Sequence, residues 1–216
     1  MRPLSISGPS NILRVLCIGA HSDDIEIGCG ATLLGLADRG YHLHLTWVVL
    51  SAGGVRADEA RRSAEILMGK TADLSIHLGG FKDAHFPAEF EELKRFMDEL
   101  RQLVDPDVIF THSMDDRHQD HCLAGELTWQ TWRDHLILEY EIPKYEGDLG
   151  RPNLFVPATR ANAIRKVEHL MSNFGSQRSK EWFSDDTFLG LMRIRGVECR
   201  SIDGFAEGFL ARKVVL

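Results

Sequence analysis

The feature that most constrains the fold is a regular alternation of short apolar runs with longer amphipathic segments over roughly the first 140 residues. The apolar runs are strand-sized and fall at 12–20, 41–50, 73–78 and 107–111. Helical spacing of apolar residues predicts helices over 28–39, 56–68, 87–104 and 119–133. Strands that alternate with helices through short loops favour a parallel sheet joined by right-handed crossovers. The sequence therefore predicts an α/β fold, a Rossmann-like three-layer sandwich with a mostly parallel central sheet.

The remaining third of the chain is less regular. A helix is predicted over 158–174, whereas 143–157 is rich in glycine, proline and charge and is expected to run over the surface. About forty residues after that helix have mixed character. No repeat, linker or low-complexity tract divides the chain, so residues 1–216 are expected to form a single domain.

Composition excludes several functional classes. The chain carries 25 basic against 32 acidic side chains, which argues against nucleic-acid binding by counterion release and against a polybasic membrane anchor. No run approaches the ~18 consecutive apolar residues of a membrane span, and the first ten residues lack the apolar core of a signal peptide. The four cysteines show no paired spacing and are expected to be reduced. The predicted location is the cytoplasm.

Two clusters of histidine and aspartate directly follow predicted strands. The first is AHSDD at 20–24, and the second is HSMDDRHQDH at 112–121. In open parallel sheets the ligand site lies beyond the carboxyl ends of the strands, so both clusters are expected to reach one site. His118 and His121 are three residues apart, which places both on one face where a helix begins. Asp116 is expected to cap that helix.

Imidazole nitrogens and carboxylate oxygens from the two clusters together suit a metal ion. A catalytic zinc site uses three such protein ligands and keeps one position open for water. Two histidines and one aspartate would leave net positive charge on the metal, which acidifies bound water toward neutral pH. A spare carboxylate near that water could take its proton. The alternative for either cluster alone is a polar turn whose acids cap a helix.

At these residues the chain resembles a known family. The run AHSDD at 20–24, followed by Glu26 and Gly28, is similar to the A-H-P-D-D signature of the PIG-L/LmbE-like zinc-dependent N-deacetylases, and 116–121 matches their D-x-H-x-D-H motif. Ser22 stands where the family usually has proline, so the loop loses a fixed φ. The resemblance implies a Rossmann-like sandwich that hydrolyses the acetamide of N-acetyl amino sugars or related conjugates. It also implies one Zn²⁺ per chain, or another divalent metal such as Fe²⁺.

The resemblance further implies a role for each matching residue. The metal ligands would be His21, Asp24 and His121. Asp23 corresponds to the general base that deprotonates the attacking water. His118 corresponds to the histidine that supports the oxyanion and helps to protonate the leaving amine. Asp120 corresponds to an acid that orients and charges a histidine.

Residues in neighbouring loops are candidates for substrate contact. Arg56 follows Gly53-Gly54 and could hold a sugar hydroxyl or a phosphate, or could be a solvated residue in the first turn of a helix. Asp83 is favoured to contact substrate, because the family often has an acid at a similar place. His112 is expected to have a structural role at a strand end. Lys144 is expected in a tethered surface loop, with a substrate groove or a subunit interface as the alternatives.

Three other functions are open at this point. The run VLCIGA at 15–20 is similar to the glycine turn of a methyltransferase, but the aspartates that follow it would repel phosphate or carboxylate. A two-metal phosphoesterase usually needs more bridging carboxylates than these clusters supply. A non-catalytic sugar-binding protein of the same fold would not need an intact base. The expected partner is a small N-acetylated sugar or conjugate, and the family resemblance suggests a small homo-oligomer.

Overall fold

Seven strands form one mixed sheet in the computed structural model, which describes residues 11–215. The strands are β1 (Ile12–Gly19), β2 (His42–Val49), β3 (Ala72–Leu78), β4 (Val108–His112), β5 (Leu136–Tyr140), β6 (Leu154–Ala158) and β7 (Phe205–Leu210). Their order is β3-β2-β1-β4-β5-β7-β6. The first five strands run parallel, and β7 pairs antiparallel with both β5 and β6. The predicted α/β fold with a mostly parallel sheet is confirmed.

Six α-helices of the described chain flank this sheet. They are α1 (Asp24–Asp38), α2 (Val55–Met68), α3 (Phe90–Leu103), α4 (Gln119–Thr131), α5 (Arg160–Asn173) and α6 (Asp185–Cys199). Residues of α1, α2 and α5 pack in the core on one face, while α3 and α4 pack on the other. The central strand β1 serves both cores, because Val15 and Cys17 face the first and Leu16 and Ile18 face the second. A strand buried on both faces is continuously apolar, as β1 is over residues 15–19.

The order of the strands fixes where a ligand site forms. The crossover from β1 to β2 goes one way along the sheet, and β4 lies on the other side of β1. The loops that follow β1 and β4 therefore leave the sheet side by side, at the point where the strand order reverses. The two histidine and aspartate clusters occupy these two loops, at 20–24 and 112–121.

The structure differs from the sequence prediction in three places. The segment 143–157, which was expected to run over the surface, contains most of strand β6 (Leu154–Ala158). Helix α1 begins at Asp24 rather than at Gly28, so the second aspartate of the first cluster is itself helical. The tail that was expected to be mixed contains a full helix at Asp185–Cys199 and the strand β7. Ser184 caps that helix by accepting a hydrogen bond from the Thr187 backbone N–H.

Three further predictions concern the chain as a whole. Cys17, Cys29, Cys122 and Cys199 are all free thiols, as expected for reduced cysteines. Among residues 11–215, no helix combines the length and apolar character needed to cross a membrane. The predicted absence of a signal peptide concerns the first ten residues, which lie outside the described part of the chain.

Candidate metal centre

Three predicted metal ligands come together where the loops after β1 and β4 meet. His21 Nδ1 lies 3.0 Å from His121 Nε2 and 3.5 Å from Asp24 Oδ2, and the latter two atoms are 3.7 Å apart. All three side chains are almost completely buried. Ligand atoms on a tetrahedral zinc ion with bonds of about 2.0–2.2 Å lie roughly 3.3–3.6 Å apart. The donor set and its spacing therefore fit a metal ion of this size.

Local backbone structure produces this arrangement. Gly19 ends β1, and the chain then turns into α1 within four residues, so His21 and Asp24 face each other across one turn. The His21 backbone N–H donates to Asp24 Oδ2 at 2.6 Å, which fixes that carboxylate. His121 enters from the first turn of α4. This helix can pack closely on the end of β4 because Gly125 has no side chain; a Cβ there would come 2.7 Å from the His112 carbonyl oxygen.

The electrostatics of the three ligands also favour a cation. Burial acts to raise the pKa of Asp24, but the neighbouring His121 and His112 hold it well below its ordinary value. Burial and the proximity of His112 lower the pKa of His121 to about 4. His121 Nδ1 contacts Asp116 Oδ2 at 3.1 Å, so the neutral ring carries its proton there and presents a lone pair at Nε2. The site thus offers a carboxylate and a neutral imidazole as ligands.

The surroundings of His21 are rich in negatively charged carboxylates. Burial opposes a charged imidazole, yet hydrogen bonds with Asp120, Asp24 and Asp83 hold the pKa of His21 well above its ordinary value. The same carboxylates that hold a proton on His21 would favour a divalent cation in its place.

Asp23, the predicted base, is buried beside the candidate ligands, and its side chain does not cap the helix that follows it. It occupies the position before α1 but makes no side-chain capping hydrogen bond, and its Oδ2 has no partner among the described residues. Burial, followed by the charge of Asp24, raises the pKa of Asp23 to about 6. A carboxyl group with that pKa can accept a proton near neutral pH.

His118 is fixed in one tautomer by the backbone. It caps α4 by accepting the Asp120 N–H at Nδ1, with a distance of 3.3 Å. Burial and the neighbouring His21 lower the pKa of His118. The ring is therefore neutral at neutral pH and carries its proton on Nε2, where it can donate a hydrogen bond. The rings of His21 and His118 are 5.1 Å apart.

Asp120 connects the candidate centre to the loop after β3. Its Oδ2 accepts the Ala84 N–H at 2.6 Å and lies 3.3 Å from His21 Nε2, and its Oδ1 accepts the Phe86 N–H at 3.1 Å. Ala84 has a φ of +64°, a left-handed conformation that alanine rarely adopts. Strain of this kind persists where surrounding contacts enforce it. Asp120 thus positions both His21 and this loop.

The two predicted substrate contacts meet at the same place. Arg56 Nη1 donates to Asp83 Oδ2 at 2.5 Å, and Asp83 Oδ1 lies 3.0 Å from His21 Nε2. Asp83 is about half exposed, and Arg56 is a quarter exposed. The pair therefore lies between the buried ligands and solvent, where a substrate would enter.

Asp116 has a different role from the one predicted. The residue that caps α4 is His118, and Asp116 instead accepts the His118 backbone N–H at 2.8 Å and contacts His121 Nδ1. The reason is that Asp116 lies two residues before the capping position, too early to reach the free amides of the helix. Its Oδ2 also lies 3.0 Å from Lys144 Nζ, which contacts Asp148 as well at 2.7 Å.

The prediction that Lys144 lies exposed in a surface loop is also wrong. Its side chain is only 7% exposed, and its charge is neutralised by two carboxylates from opposite sides. Sequence spacing gave no signal for this contact, because Lys144 follows Asp116 by 28 residues across a helix and a strand. A lysine flanked by aspartate four residues later was the single local indication.

His112 is structural, as expected, but it also contacts a ligand. Its Nε2 accepts the Ala20 N–H at 2.9 Å and lies 3.0 Å from Asp24 Oδ2. The side chain is fully buried. It therefore fixes the loop after β1 from beneath and faces the same carboxylate oxygen as the candidate ligands.

Other donor groups overlap the candidate ligand set, namely His21, His118 and His121, then Asp24, His112 and His121, and finally a larger group that shares His21. Its atoms come from His21, Asp83, His118 and Asp120 and lie within 4.8 Å of one another. The carboxylates of this group already have partners, since Asp120 accepts two backbone N–H groups and Asp83 is paired with Arg56. The group of His21, Asp24 and His121 is the better candidate for a metal ion, because His121 offers a free lone pair toward its partners.

Comparison with known proteins identifies the family. Residues 16–132 match the family described as PIG-L, GlcNAc-PI de-N-acetylase. The uncharacterized deacetylase YaiS of Escherichia coli K12 is 32% identical over 141 residues, which cover 60% of this chain and 74% of that protein. Diacetylchitobiose deacetylase of Thermococcus kodakarensis is 31% identical over 143 residues, 56% of this chain and half of that protein's length.

A solved structure with the same fold shows that the fold alone does not identify the reaction. GalB, the 4-carboxy-2-hydroxymuconate hydratase of Pseudomonas putida KT2440, superposes with a TM-score of 0.74 at 20% identity, covering 94% of this chain and 98% of that one. A hydratase on this fold means that the fold by itself does not determine the reaction. The family match and the deacetylase relatives do restrict it. The chain belongs to the PIG-L family of de-N-acetylases, which points to a hydrolase acting on N-acetyl amide bonds.

Proposed function

We propose that the protein is a zinc-dependent hydrolase that removes the acetyl group from an N-acetyl amino sugar or a conjugate of one. The observation that carries the proposal is the convergence of His21 Nδ1, Asp24 Oδ2 and His121 Nε2 beside the unpartnered, buried carboxylate of Asp23. The sugar part of the proposal is supported by the diacetylchitobiose deacetylase relative. One ion per chain is proposed, with Fe²⁺ as the alternative to Zn²⁺.

When bound by His21, Asp24 and His121, a zinc ion would supply Lewis-acid chemistry, polarising a carbonyl and lowering the pKa of water. Asp23 would take a proton from the attacking water, because a carboxyl with a pKa of about 6 is charged at pH 7 and still accepts a proton more readily than an ordinary aspartate does. The proton would then be available for the amine that leaves as the C–N bond breaks.

His118 would stabilise the oxyanion of the tetrahedral intermediate. Its neutral tautomer places an N–H at Nε2, since Nδ1 accepts a backbone hydrogen bond. A donor already held in place loses no freedom when negative charge develops on the acetyl oxygen, and removing one such donor typically costs about 3 kcal/mol of transition-state stabilisation. Asp120 would keep His21 and the Ala84 loop in register with it.

Arg56 and Asp83 would bind the hydroxyl groups of the sugar. Their ion pair contacts His21 on one side and solvent on the other. A carboxylate and a guanidinium together offer acceptors and donors to neighbouring hydroxyls. A hydroxylated substrate would therefore exchange hydrogen bonds with the pair without removing either charge from its partner.

The test is acetate release from a panel of N-acetyl amino sugars, their glycosides and nucleotide conjugates. The expected result is release of equal amounts of acetate and free amine by the zinc-loaded protein, lost on chelation and restored by added Zn²⁺. Phosphate release from phosphomonoesters with no acetate from any amide would support the phosphoesterase instead. Tight sugar binding without turnover would support the non-catalytic alternative.

A further inference from the structure

A second cluster of metal-ligating side chains lies at the opposite end of the sheet from the candidate metal centre. His42 and His44 stand two residues apart at the start of β2, and Asp73 on β3 is paired in register with His44. Alternate residues of a strand project from the same face. The three side chains therefore share one face of the β2–β3 pair, and no motif or mechanism described above uses them.

The spacing of their donor atoms is that of a metal site. Asp73 Oδ2 lies 2.9 Å from His42 Nε2 and 3.5 Å from His44 Nε2, and all three atoms lie within 4.8 Å of one another. The separation of 3.5 Å lies within the roughly 3.3–3.6 Å expected between tetrahedral ligands of zinc, and the separation of 2.9 Å is slightly shorter. We infer that His42, His44 and Asp73 form a surface site for a divalent transition-metal ion, with Zn²⁺ as the expected occupant.

The surroundings of the cluster permit an ion to bind. The three side chains are about half to two-thirds exposed, so an ion can enter and complete its coordination with water. The nearest cation in register is Arg14, opposite His44 on β1, and its guanidinium is held by Asp107 at 2.7 Å and Asp105 at 3.2 Å. The positive charge of Arg14 is therefore balanced before it can oppose a metal ion.

The donor chemistry selects the class of ion. Two imidazoles and one carboxylate suit Zn²⁺, Ni²⁺ and Cu²⁺, whereas Mg²⁺ and Ca²⁺ prefer all-oxygen sites. An ion held by both strands would tie the edge strand β3 to β2, and binding to the folded chain alone would raise its stability. The cluster begins β2, whereas the candidate metal centre lies beyond the other end of the parallel strands. At about 3.3 Å per residue the two are roughly 20 Å apart.

This inference does not rest on the proposed function, and it changes how metal content is interpreted. Two zinc ions per chain would otherwise indicate a two-metal catalytic centre, in which the ions are about 3.5–4 Å apart. With a surface site at His42, His44 and Asp73, a stoichiometry of two arises from two separate mononuclear sites.

The experiment measures bound zinc in the full chain, prepared metal-free and without a metal-affinity tag, after equilibration with Zn²⁺ and removal of free ion. The variant is His42→Ala/His44→Ala, whose half-exposed side chains are not needed by the core. The matched control is His77→Ala on the same face of β3, whose Nε2 instead contacts Ser75 Oγ at 3.1 Å. Mg²⁺ in place of Zn²⁺ tests the ion class.

The expected result is that the double variant binds one zinc fewer than the wild-type chain, while His77→Ala binds as much as wild type and Mg²⁺ raises no signal. Added Zn²⁺ should raise the Tm of the wild type more than that of the double variant, and acetate release should be unchanged. If the candidate catalytic centre binds no zinc, the wild type binds one ion and the double variant none. The inference is overturned if the double variant keeps all of the wild-type zinc or if His77→Ala loses the same ion.

Discussion

Replacing Asp23 by asparagine should inactivate the enzyme and stabilise the metal-free fold. Burial raises the pKa of this carboxyl from 3.8 to about 6, so the folded chain binds the proton more tightly than the unfolded chain does. At about 1.4 kcal/mol for each tenfold change in the acid constant, keeping Asp23 charged at pH 7 costs the fold about 3 kcal/mol. Asparagine has nearly the same shape and no charge, so the variant should recover most of that free energy.

The pH dependence of unfolding separately tests whether Asp23→Asn stabilises the metal-free protein. A carboxyl whose pKa is raised by folding imposes no cost below its unfolded pKa, and the cost grows as pH rises through the folded value. The stability difference between Asp23→Asn and wild type should therefore be largest at pH 7 and shrink steadily between about pH 6 and pH 4. Urea unfolding of the chelator-treated proteins at several pH values measures it.

The neighbouring aspartate provides the control. Asp24 has its pKa lowered by His121 and His112 against the effect of burial, so Asp24→Asn should destabilise the same metal-free protein and should also lose bound metal. In the metal-loaded protein, Asp23→Asn should keep its metal while kcat falls by roughly 10²–10⁴, the usual contribution of a general base. An Asp23→Asn protein that is no more stable than wild type at pH 7, or that retains full activity with metal bound, would refute this reasoning.

Three other outcomes are expected. Lys144→Met removes the buried cation that pairs with the carboxylates of Asp116 and Asp148, so unfolding free energy should fall by about 3–5 kcal/mol and metal affinity by about 10–100-fold through His121; equal metal affinity at a temperature where both proteins are folded would contradict this. Gly28→Ala would place a Cβ against the Tyr140 ring and should cost about 1–3 kcal/mol in urea unfolding. Its control Gly30→Ala would place a Cβ at an ordinary contact distance of 3.5 Å from a side-chain carbon of Lys166 and should be neutral or stabilising by up to about 1 kcal/mol. Chelation should abolish acetate release, and added Zn²⁺ should restore it; activity that persists without metal would rule out the proposed chemistry.

The parallel half of the sheet could be predicted because its signals are local. β1 and β2 are mainly apolar runs that are followed by glycine-containing turns, and apolar residues recur at helical spacing in the segments between the parallel strands. The tail lacks such signals. Strand β7 contains a glycine and the buried Glu207, whose carboxylate accepts the backbone N–H groups of Ala31 and Thr32 and pairs with Lys166 at 2.6 Å. A buried charge is acceptable only with partners of this kind, and all three are 41 or more residues away in sequence.

The candidate site shows the same division between local and distant information. The position of the two motifs after predicted strands indicated that both clusters reach one site, and the family resemblance implied His21, Asp24 and His121 as the ligand set; the strand order places these three together. The contacts that fix those ligands come from elsewhere. Lys144 reaches Asp116 from a loop that sequence alone predicts to be exposed, and the bend at Ala84 depends on hydrogen bonds to Asp120. The candidate metal ligands lie in short sequence motifs, whereas the residues that position them are brought close only by the tertiary fold.

Asp23 and Asp24 show why adjacent, identical side chains can take different roles. The helix begins between them, so the carboxylate of Asp24 turns back to the loop amide of His21 and to three imidazoles, while that of Asp23 stays in a buried space with one oxygen unpartnered. The pKa of one is lowered and that of the other is raised, although both are buried. A carboxylate ligand must be charged at neutral pH, and a base must be able to give its proton away later. A single backbone turn therefore separates the two proposed functions, and its cost in stability falls on the residue that would carry out the proton transfer.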